Sequence, residues 1–143
     1  MSITSALTCA RKFIALATAA GMNLSNLKLQ KLVYYAQAWH LAIYDVPLFP
    51  DPIEAWVHGP VVRSLYAHYR SCGGNIDAIE CDPIADSHVI AVFKEFGSFD
   101  GSQLERMTHS ESPWVDARVG LAPDEASRNV IPHEAMRKFY ASL

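Results

Sequence analysis

The chain has 143 residues, of which 50% are hydrophobic and 19% are charged, and its net charge is −3 with neutral histidines. These values predict one ordered domain over residues 1–143 and exclude a disordered chain. The apolar stretch at residues 14–20 is far shorter than the ~20 residues of a membrane span, so no membrane segment is expected.

Cysteine usage and charge limit the class of partner. Cys9, Cys72 and Cys81 form no C-x-x-C pair, so we expect neither a disulfide framework nor a zinc site, and a cytoplasmic location follows. Residues 1–44 carry four cations and no acid, a charge of +4 against −7 in the rest. This asymmetry permits an acidic partner, whereas a pI of about 6.0 argues against a nucleic-acid binder.

The first half of the chain predicts a central helix. Residues 3–20 have helical spacing of apolar side chains and form the first helix. Ser25 is the expected N-cap of a second helix that runs to about Tyr44 and is apolar on nearly every side, so it belongs at the centre of the fold. Residues 45–52 are irregular, and residues 53–57 suit a short strand.

The remaining elements are predicted to be helices. Pro60 suits the first turn of a third helix that ends at residues 73–74, and a fourth is capped by Asp86 or Ser87. A capping box formed by Ser102 and Glu105 opens a fifth, a short sixth runs from Ser112 to near residue 120, and residues 132–142 suit a terminal helix. The predicted fold is mainly α: a compact single-domain helical bundle around a buried central helix, with at most a small β element near residues 53–58.

Lys28 and Lys31 are three positions apart on the predicted central helix and therefore share a face. The structural interpretation is a solvated edge with buried aliphatic stems, and the functional one is a basic contact with a partner. Tyr34, Tyr35 and Trp39 belong to the core by default, although a half-exposed aromatic ring is a natural interface anchor.

Glu54, Trp56, His58, Gly59 and Pro60 cluster before the predicted third helix. We interpret them as a tight corner packed by Trp56, in which Gly59 adopts a positive φ that other residues avoid. The histidines of the chain show no spacing typical of a metal site, so no metal is expected.

The segment from Thr108 to Trp114 contains hydroxyls, an imidazole and a carboxylate. Adjacent residues in one turn rarely align as nucleophile, base and orienting group, so catalysis is not expected here. Thr108 and Ser110 suit a corner between helices, His109 bonds across it, and Trp114 fills the core. No glycine-rich phosphate loop is present, and no cofactor is expected.

Three segments together resemble the Panacea domain, the family of SocA-like antitoxins and GepA-like phage-associated proteins. The matching residues, spread over about 24–131, are Leu29, Gln30, Leu32, Tyr35, Trp39, Glu54, Trp56, Gly59, Pro60, Thr108, His109, Ser110, Pro113, Trp114 and Arg118. The resemblance implies an antitoxin that binds a co-encoded toxin protein, and in the SocA type also a proteolytic adaptor that delivers the toxin to the ClpXP protease. It implies a binding protein and no enzyme, and it leaves the toxin unidentified. A function that rests on an appended DNA-binding module is not expected.

The hypothesis for partner binding joins the basic segment to the aromatic anchors: Lys28, Lys31, Tyr34 and the loop around His58 form the candidate contact region. Two alternatives remain. One is a small cytoplasmic hydrolase-like enzyme that uses Glu54, His58 and His109 in one cleft. The other is a phage-derived structural or interaction protein, for which a homo-oligomer with a symmetric self-interface is expected.

Overall fold

The computed structural model describes residues 3–70 and 86–143. Within these ranges the chain forms seven helices and one two-stranded antiparallel sheet, which confirms the mainly α fold. In chain order the elements are α1 (Ala6–Ala19), α2 (Asn26–Tyr44), β1 (Glu54–Trp56), β2 (Gly59–Val61), α3 (Arg63–Tyr69), α4 (Ser87–Phe96), α5 (Gly101–His109), α6 (Ser112–Ala117) and α7 (His133–Ala141). None of the described helices has the length and apolar character needed to cross a membrane.

Helix α2 is the centre of the fold, as predicted. It begins after Ser25, whose hydroxyl accepts a hydrogen bond from the Lys28 amide at 3.1 Å, and it ends at Asp45, which has a left-handed conformation. Helices α1, α3, α4, α5 and α7 and strand β2 all pack against it. Because neighbours surround its first four turns, polar as well as apolar side chains of α2 are buried.

A partly buried ion pair joins α1 to α4. The Asp86 carboxylate caps α4 by accepting hydrogen bonds from the amides of His88 and Val89, which confirms one of the two predicted caps. The Lys12 ammonium of α1 lies 3.2 Å from the same carboxylate. Local capping and a contact between helices therefore share one acidic side chain.

The sheet is a hairpin, and it corrects the prediction for Pro60. Ala55 pairs with Pro60 and Trp56 pairs with Gly59, so Pro60 lies in β2, and α3 begins only at Arg63. Proline suits both a first helical turn and a strand without a second neighbour, because neither position needs its missing N–H. The predicted helix end at residues 73–74 lies outside the described residues.

The C-terminal helices follow the predicted order with different boundaries. Asp100 and Gln103, rather than Ser102 and Glu105, form the capping box of α5, because α5 begins at Gly101. Pro113 lies in the first turn of α6, which ends at Ala117, before the expected residue 120. Helix α7 then turns the buried Met136 and Tyr140 toward α2.

We expect Leu32→Ala to lower the free energy of unfolding by ~2–5 kcal/mol, because Leu32 is fully buried in α2 and its loss leaves a cavity. Ile43→Ala in the same helix is the matched control, since Ile43 is 60% exposed and its truncation should change stability by less than about 0.5 kcal/mol. Urea unfolding monitored by circular dichroism measures both. Equal losses in the two variants would contradict the central position of α2.

Candidate functional site

Lys28 and Lys31 point into the protein. Lys28 is 7% exposed and its ammonium donates to the Gly97 carbonyl at 2.6 Å, whereas Lys31 is 0% exposed and donates to the Pro60 carbonyl at 3.1 Å. The solvated edge proposed for these lysines is therefore wrong. One ammonium group binds a backbone carbonyl at the end of α4 and the other binds one within β2, because α2 is covered where these side chains leave it.

The Lys31 ammonium lies below the hairpin in a site of low polarity. Burial lowers the pKa of Lys31 to about 7, and the nearby Glu105 carboxylate opposes that shift. Near neutral pH the amine is thus divided between its charged and neutral forms. A group of this kind contributes to stability in a strongly pH-dependent way.

Gly59 has a φ of +109°, which confirms the positive φ predicted for it. A Cβ atom at this position would lie 2.5 Å from Lys31 Cε and 3.0 Å from Thr108 Oγ. The Thr108 side chain is itself buried and donates to the Glu105 carbonyl at 2.8 Å. Glycine is needed here for two reasons, the backbone conformation and the close approach of the Lys31 stem.

Gln30 connects α2 to the junction between β2 and α3. Its Oε1 accepts a hydrogen bond from the Val62 amide at 3.0 Å, and its Nε2 donates to Asn26 Oδ1 at the same distance. Asn26 in turn donates to the Tyr66 carbonyl at 3.2 Å. Gln30 therefore acts as a buried clamp on the backbone and is not available to a partner.

Gln37, which the sequence analysis did not single out, holds the irregular segment after α2. Its Oε1 accepts from the Leu48 amide at 2.7 Å, and its Nε2 donates to the Phe49 carbonyl at 2.8 Å. The sequence signal for this role is an amide side chain within an otherwise apolar helix. When such a side chain is buried, both its NH₂ group and its carbonyl oxygen need hydrogen-bond partners.

Tyr34 and Tyr35 join a buried network with Tyr140 and Glu111. Tyr35 and Tyr140 each donate to Glu111 Oε1 at 2.8 Å, and the hydroxyls of Tyr34 and Tyr140 lie 2.9 Å apart. Because the Tyr140 proton is used toward Glu111, Tyr34 is the donor in that pair. Burial raises the pKa of Glu111, and the two tyrosine donors oppose the shift.

Tyr34 is only 1% exposed, so it belongs to the core, and its predicted place in the exposed contact region is wrong. Trp39 lies at the margin of the network, half-buried, with its ring centre 5.3 Å from that of Tyr140. Sequence reasoning missed the roles of Glu111 and Tyr140. Glu111 stands within the third motif, but only the packing of α7 on α2 brings Tyr140 to it.

The third motif forms the expected corner between α5 and α6 and attaches it to β1. The His109 ring stacks on the Trp114 ring with centres 4.0 Å apart, and Trp114 Nε1 donates to the Trp56 carbonyl at 2.8 Å. Arg118 lies 5.2 Å from the Trp114 ring centre and donates to the Ala55 carbonyl at 2.9 Å. The Ser110 hydroxyl completes the corner by donating to a carbonyl of α5.

Glu54 of β1 is held by two side chains. One carboxylate oxygen accepts from Trp56 Nε1 at 2.9 Å, and the other lies 3.6 Å from Arg63 Nε. Its side chain borders a cavity that Arg63 also lines, whereas His58 borders other cavities. Because the Glu54 carboxylate accepts a hydrogen bond from the indole nitrogen, it orients the Trp56 side chain.

His58 is the exposed member of the motif residues at the hairpin. It occupies the turn between β1 and β2, its side chain is 75% exposed, and its Nδ1 lies 3.3 Å from Glu105 Oε2. Together with Trp56 it borders a cavity of about 430 Å³ on one side and a second of about 440 Å³ on the other. We call Trp56 and His58 the hairpin ridge.

The three residues considered for acid/base chemistry have separate partners. Glu54 binds Trp56 and Arg63, His58 pairs with Glu105, and His109 stacks in the corner, where burial lowers its pKa. The two histidines both lie near the Glu105 carboxylate, whereas Glu54 is engaged with Trp56 and Arg63. Among residues 3–70 and 86–143 there is no group of three side chains placed to hold a metal ion.

We expect the free energy of unfolding of the wild type to rise relative to that of Lys31→Met as the pH is raised above about 7. Between pH of about 7 and the ordinary lysine value of 10.5, unfolded Lys31 binds more protons than folded Lys31, so wild-type stability rises with pH. Methionine does not titrate, so the difference in stability between the two proteins must move in favour of the wild type across that interval. Urea unfolding of both proteins at several pH values measures this difference, and a pH-independent difference would contradict the buried titrating amine.

We expect Gly59→Ala to cost about 3 kcal/mol of folding free energy, because it combines backbone strain with overlap on Lys31. Gly120→Ala is the control: its φ is +88°, but no atom lies within 4 Å of the added Cβ, so strain alone should cost about 1–2 kcal/mol. Thermal and urea unfolding compare the two. If Gly59→Ala costs no more free energy than Gly120→Ala, the Lys31 side chain moves away from the added Cβ without cost.

Comparison with known proteins places the chain in a family. Residues 29–115 match the model described as "Antitoxin SocA-like, Panacea domain". The chain is 31% identical over 116 residues to Antitoxin SocA of Caulobacter vibrioides (strain NA1000 / CB15N), and the aligned region covers 68% of this chain and 62% of that relative. The chain thus spans less than two thirds of that relative's length, and no solved structure matches it. The chain belongs to the SocA-like antitoxin family that carries the Panacea domain.

Proposed function

We propose that this protein is an antitoxin that neutralises a cognate toxin protein by direct binding. The observation that carries the proposal is the family match over residues 29–115, which extends from α2 to α6. The relative from Caulobacter vibrioides is also named as an antitoxin. Membership of an antitoxin family indicates a non-enzymatic role.

The contacts of the motif residues support a binding role. Glu54, His109 and Arg118 are engaged in interior contacts that hold β1 against α6 and orient Trp56. Together the hairpin and α3 offer a partner a half-buried aromatic pair, in which the rings of Trp56 and Tyr66 lie 5.0 Å apart. Tryptophan and tyrosine in such positions carry much of the energy of protein interfaces.

The contact region proposed from the sequence is kept with its centre at His58. His58 is exposed, whereas Lys28, Lys31 and Tyr34 are buried, and of these three Lys31 contacts the hairpin. In this proposal His58 touches the toxin, and Lys31 acts indirectly by holding the β2 backbone that carries the turn.

A finer proposal follows from the resemblance to SocA-type antitoxins: the protein acts in the cytoplasm as a proteolytic adaptor that delivers its toxin to the ClpXP protease. Purified ClpXP, the toxin and this protein test it in one assay. Toxin loss that requires both ATP and this protein supports the adaptor role. Toxin that stays intact in a stable complex restricts the role to neutralisation by binding.

We expect co-expression of this protein with the product of the adjacent toxin gene to restore growth, and we expect the two proteins to purify together. His58→Ala should weaken the complex by about 1 kcal/mol without lowering the melting temperature, because this side chain is exposed. Lys138→Ala removes an exposed side chain of α7 and is the control, which should bind like the wild type. If the folded wild-type protein neither restores growth nor binds the adjacent product, the antitoxin function is rejected.

A further inference from the structure

We propose that the hairpin ridge docks an acidic segment of the toxin, whose apolar side chains enter the two cavities beside Trp56 and His58. This inference rests on the proposed antitoxin function and specifies the chemistry of the partner surface.

The shape of this surface suits a protein partner. Trp56 and His58 border both cavities, so the ridge separates two depressions of about 430 and 440 Å³. Each has a volume within the range of ~300–1,000 Å³ that is typical of binding pockets. Val61 and Tyr66 give the first depression an apolar wall, and Val57 and Ala126 do so in the second. A partner that straddles the ridge can bury apolar groups on both sides.

The charge of this surface differs in sign from that of the whole chain. Lys31, Arg70 and Arg128 line the two cavities against the single carboxylate Glu105, which gives +2 when the buried Lys31 is protonated and +1 when it is neutral, with the histidines neutral. The whole chain has a net charge of −3. Arg70 and Arg128 are exposed at the rims, where they can pair directly with carboxylates of a partner. Complementary charge of this kind speeds encounter and selects an acidic surface.

The ridge is held rigidly before any partner arrives. Trp56 Nε1 donates to Glu54, and the Trp56 carbonyl accepts from Trp114. The Arg118 guanidinium fixes the neighbouring Ala55 carbonyl, and Lys31 fixes the Pro60 carbonyl on the opposite strand. A preorganised surface loses little conformational entropy on binding, so more of the contact energy appears as affinity.

A third depression, which lies between α2 and α4, is a weaker match for an acidic partner. It has a volume of about 270 Å³, and Trp39, Ile43 and Ala91 line it. The described residues around it include no lysine or arginine, and Glu95 adds a negative charge. An acidic segment would be repelled there, which makes this depression a useful internal comparison.

The first test reverses the rim charges. The double variant Arg70→Glu, Arg128→Glu should bind the product of the adjacent toxin gene roughly tenfold more weakly or worse, and the loss should shrink at high salt. The control Lys94→Glu, Lys138→Glu makes the same charge change on exposed residues of α4 and α7 and should bind within about twofold of the wild type. Circular dichroism confirms that all variants are folded.

The second test fills the depressions. Ala126→Trp places a bulky ring at the exposed rim of the second cavity and should weaken binding roughly tenfold or more. Ala91→Trp makes the same change in the depression between α2 and α4 and should leave binding unchanged.

The outcomes separate this inference from the function on which it rests. A wild-type protein that does not bind the toxin rejects both. A wild-type complex that survives the Arg70 and Arg128 reversal with unchanged affinity overturns the docking surface alone, as does a complex blocked by Ala91→Trp but not by Ala126→Trp. Binding of a nucleic acid, lost on charge reversal while toxin binding is unchanged, also overturns the proposal.

Discussion

The hydrogen bond from the buried Lys31 ammonium to the Pro60 carbonyl is the contact on which the geometry of the hairpin depends. It places a cationic group in the interior, where desolvation opposes charge and where each polar partner matters. Gly59 allows the lysine stem to approach because it carries no side chain and accepts a φ of +109°. Helix α2 therefore positions β2 and, with it, the turn that carries His58.

Other buried polar side chains of α2 also bind backbone groups of distant segments. Lys28, Gln30 and Gln37 each use a polar end to bind backbone groups of other segments: the end of α4, the start of α3 and the irregular chain after α2. Helix α2 thus supplies both the apolar core and the hydrogen bonds that loops without regular structure require. Substitution of such a group leaves a backbone partner unpaired, so the cost exceeds that of the lost bond.

The burial of the motif residues bears on how the protein recognises a toxin in the proposed function. Most of the residues that carry the family resemblance are inside the protein, where they hold the hairpin and the corner between α5 and α6. In the proposed function, the surface that meets the toxin consists of the ridge and the exposed residues around it, such as Arg70 and Arg128. A buried scaffold need not itself carry specificity, because the exposed side chains around it can change with little loss of folding energy.

The sequence by itself determined the features that depend on a few neighbouring residues. The Ser25 cap, the extent of α2, the short strand before the turn and the positive φ of Gly59 follow from capping, periodicity and backbone sterics. For the cap of α4 the sequence left two candidates, Asp86 and Ser87, of which the structure selects Asp86. The mainly α fold follows from the order of these elements.

Only the tertiary structure decided where the charges and the ambiguous residues lie. The ammonium of Lys28 meets a carbonyl 69 residues away and that of Lys31 one 29 residues away, and no local rule shows that these positions will be covered. Pro60 suits a strand as well as a helix, and two overlapping capping boxes fit the start of α5. In each case, neighbours distant in sequence select among local conformations of similar energy, because burial and long-range pairing outweigh short-range propensity.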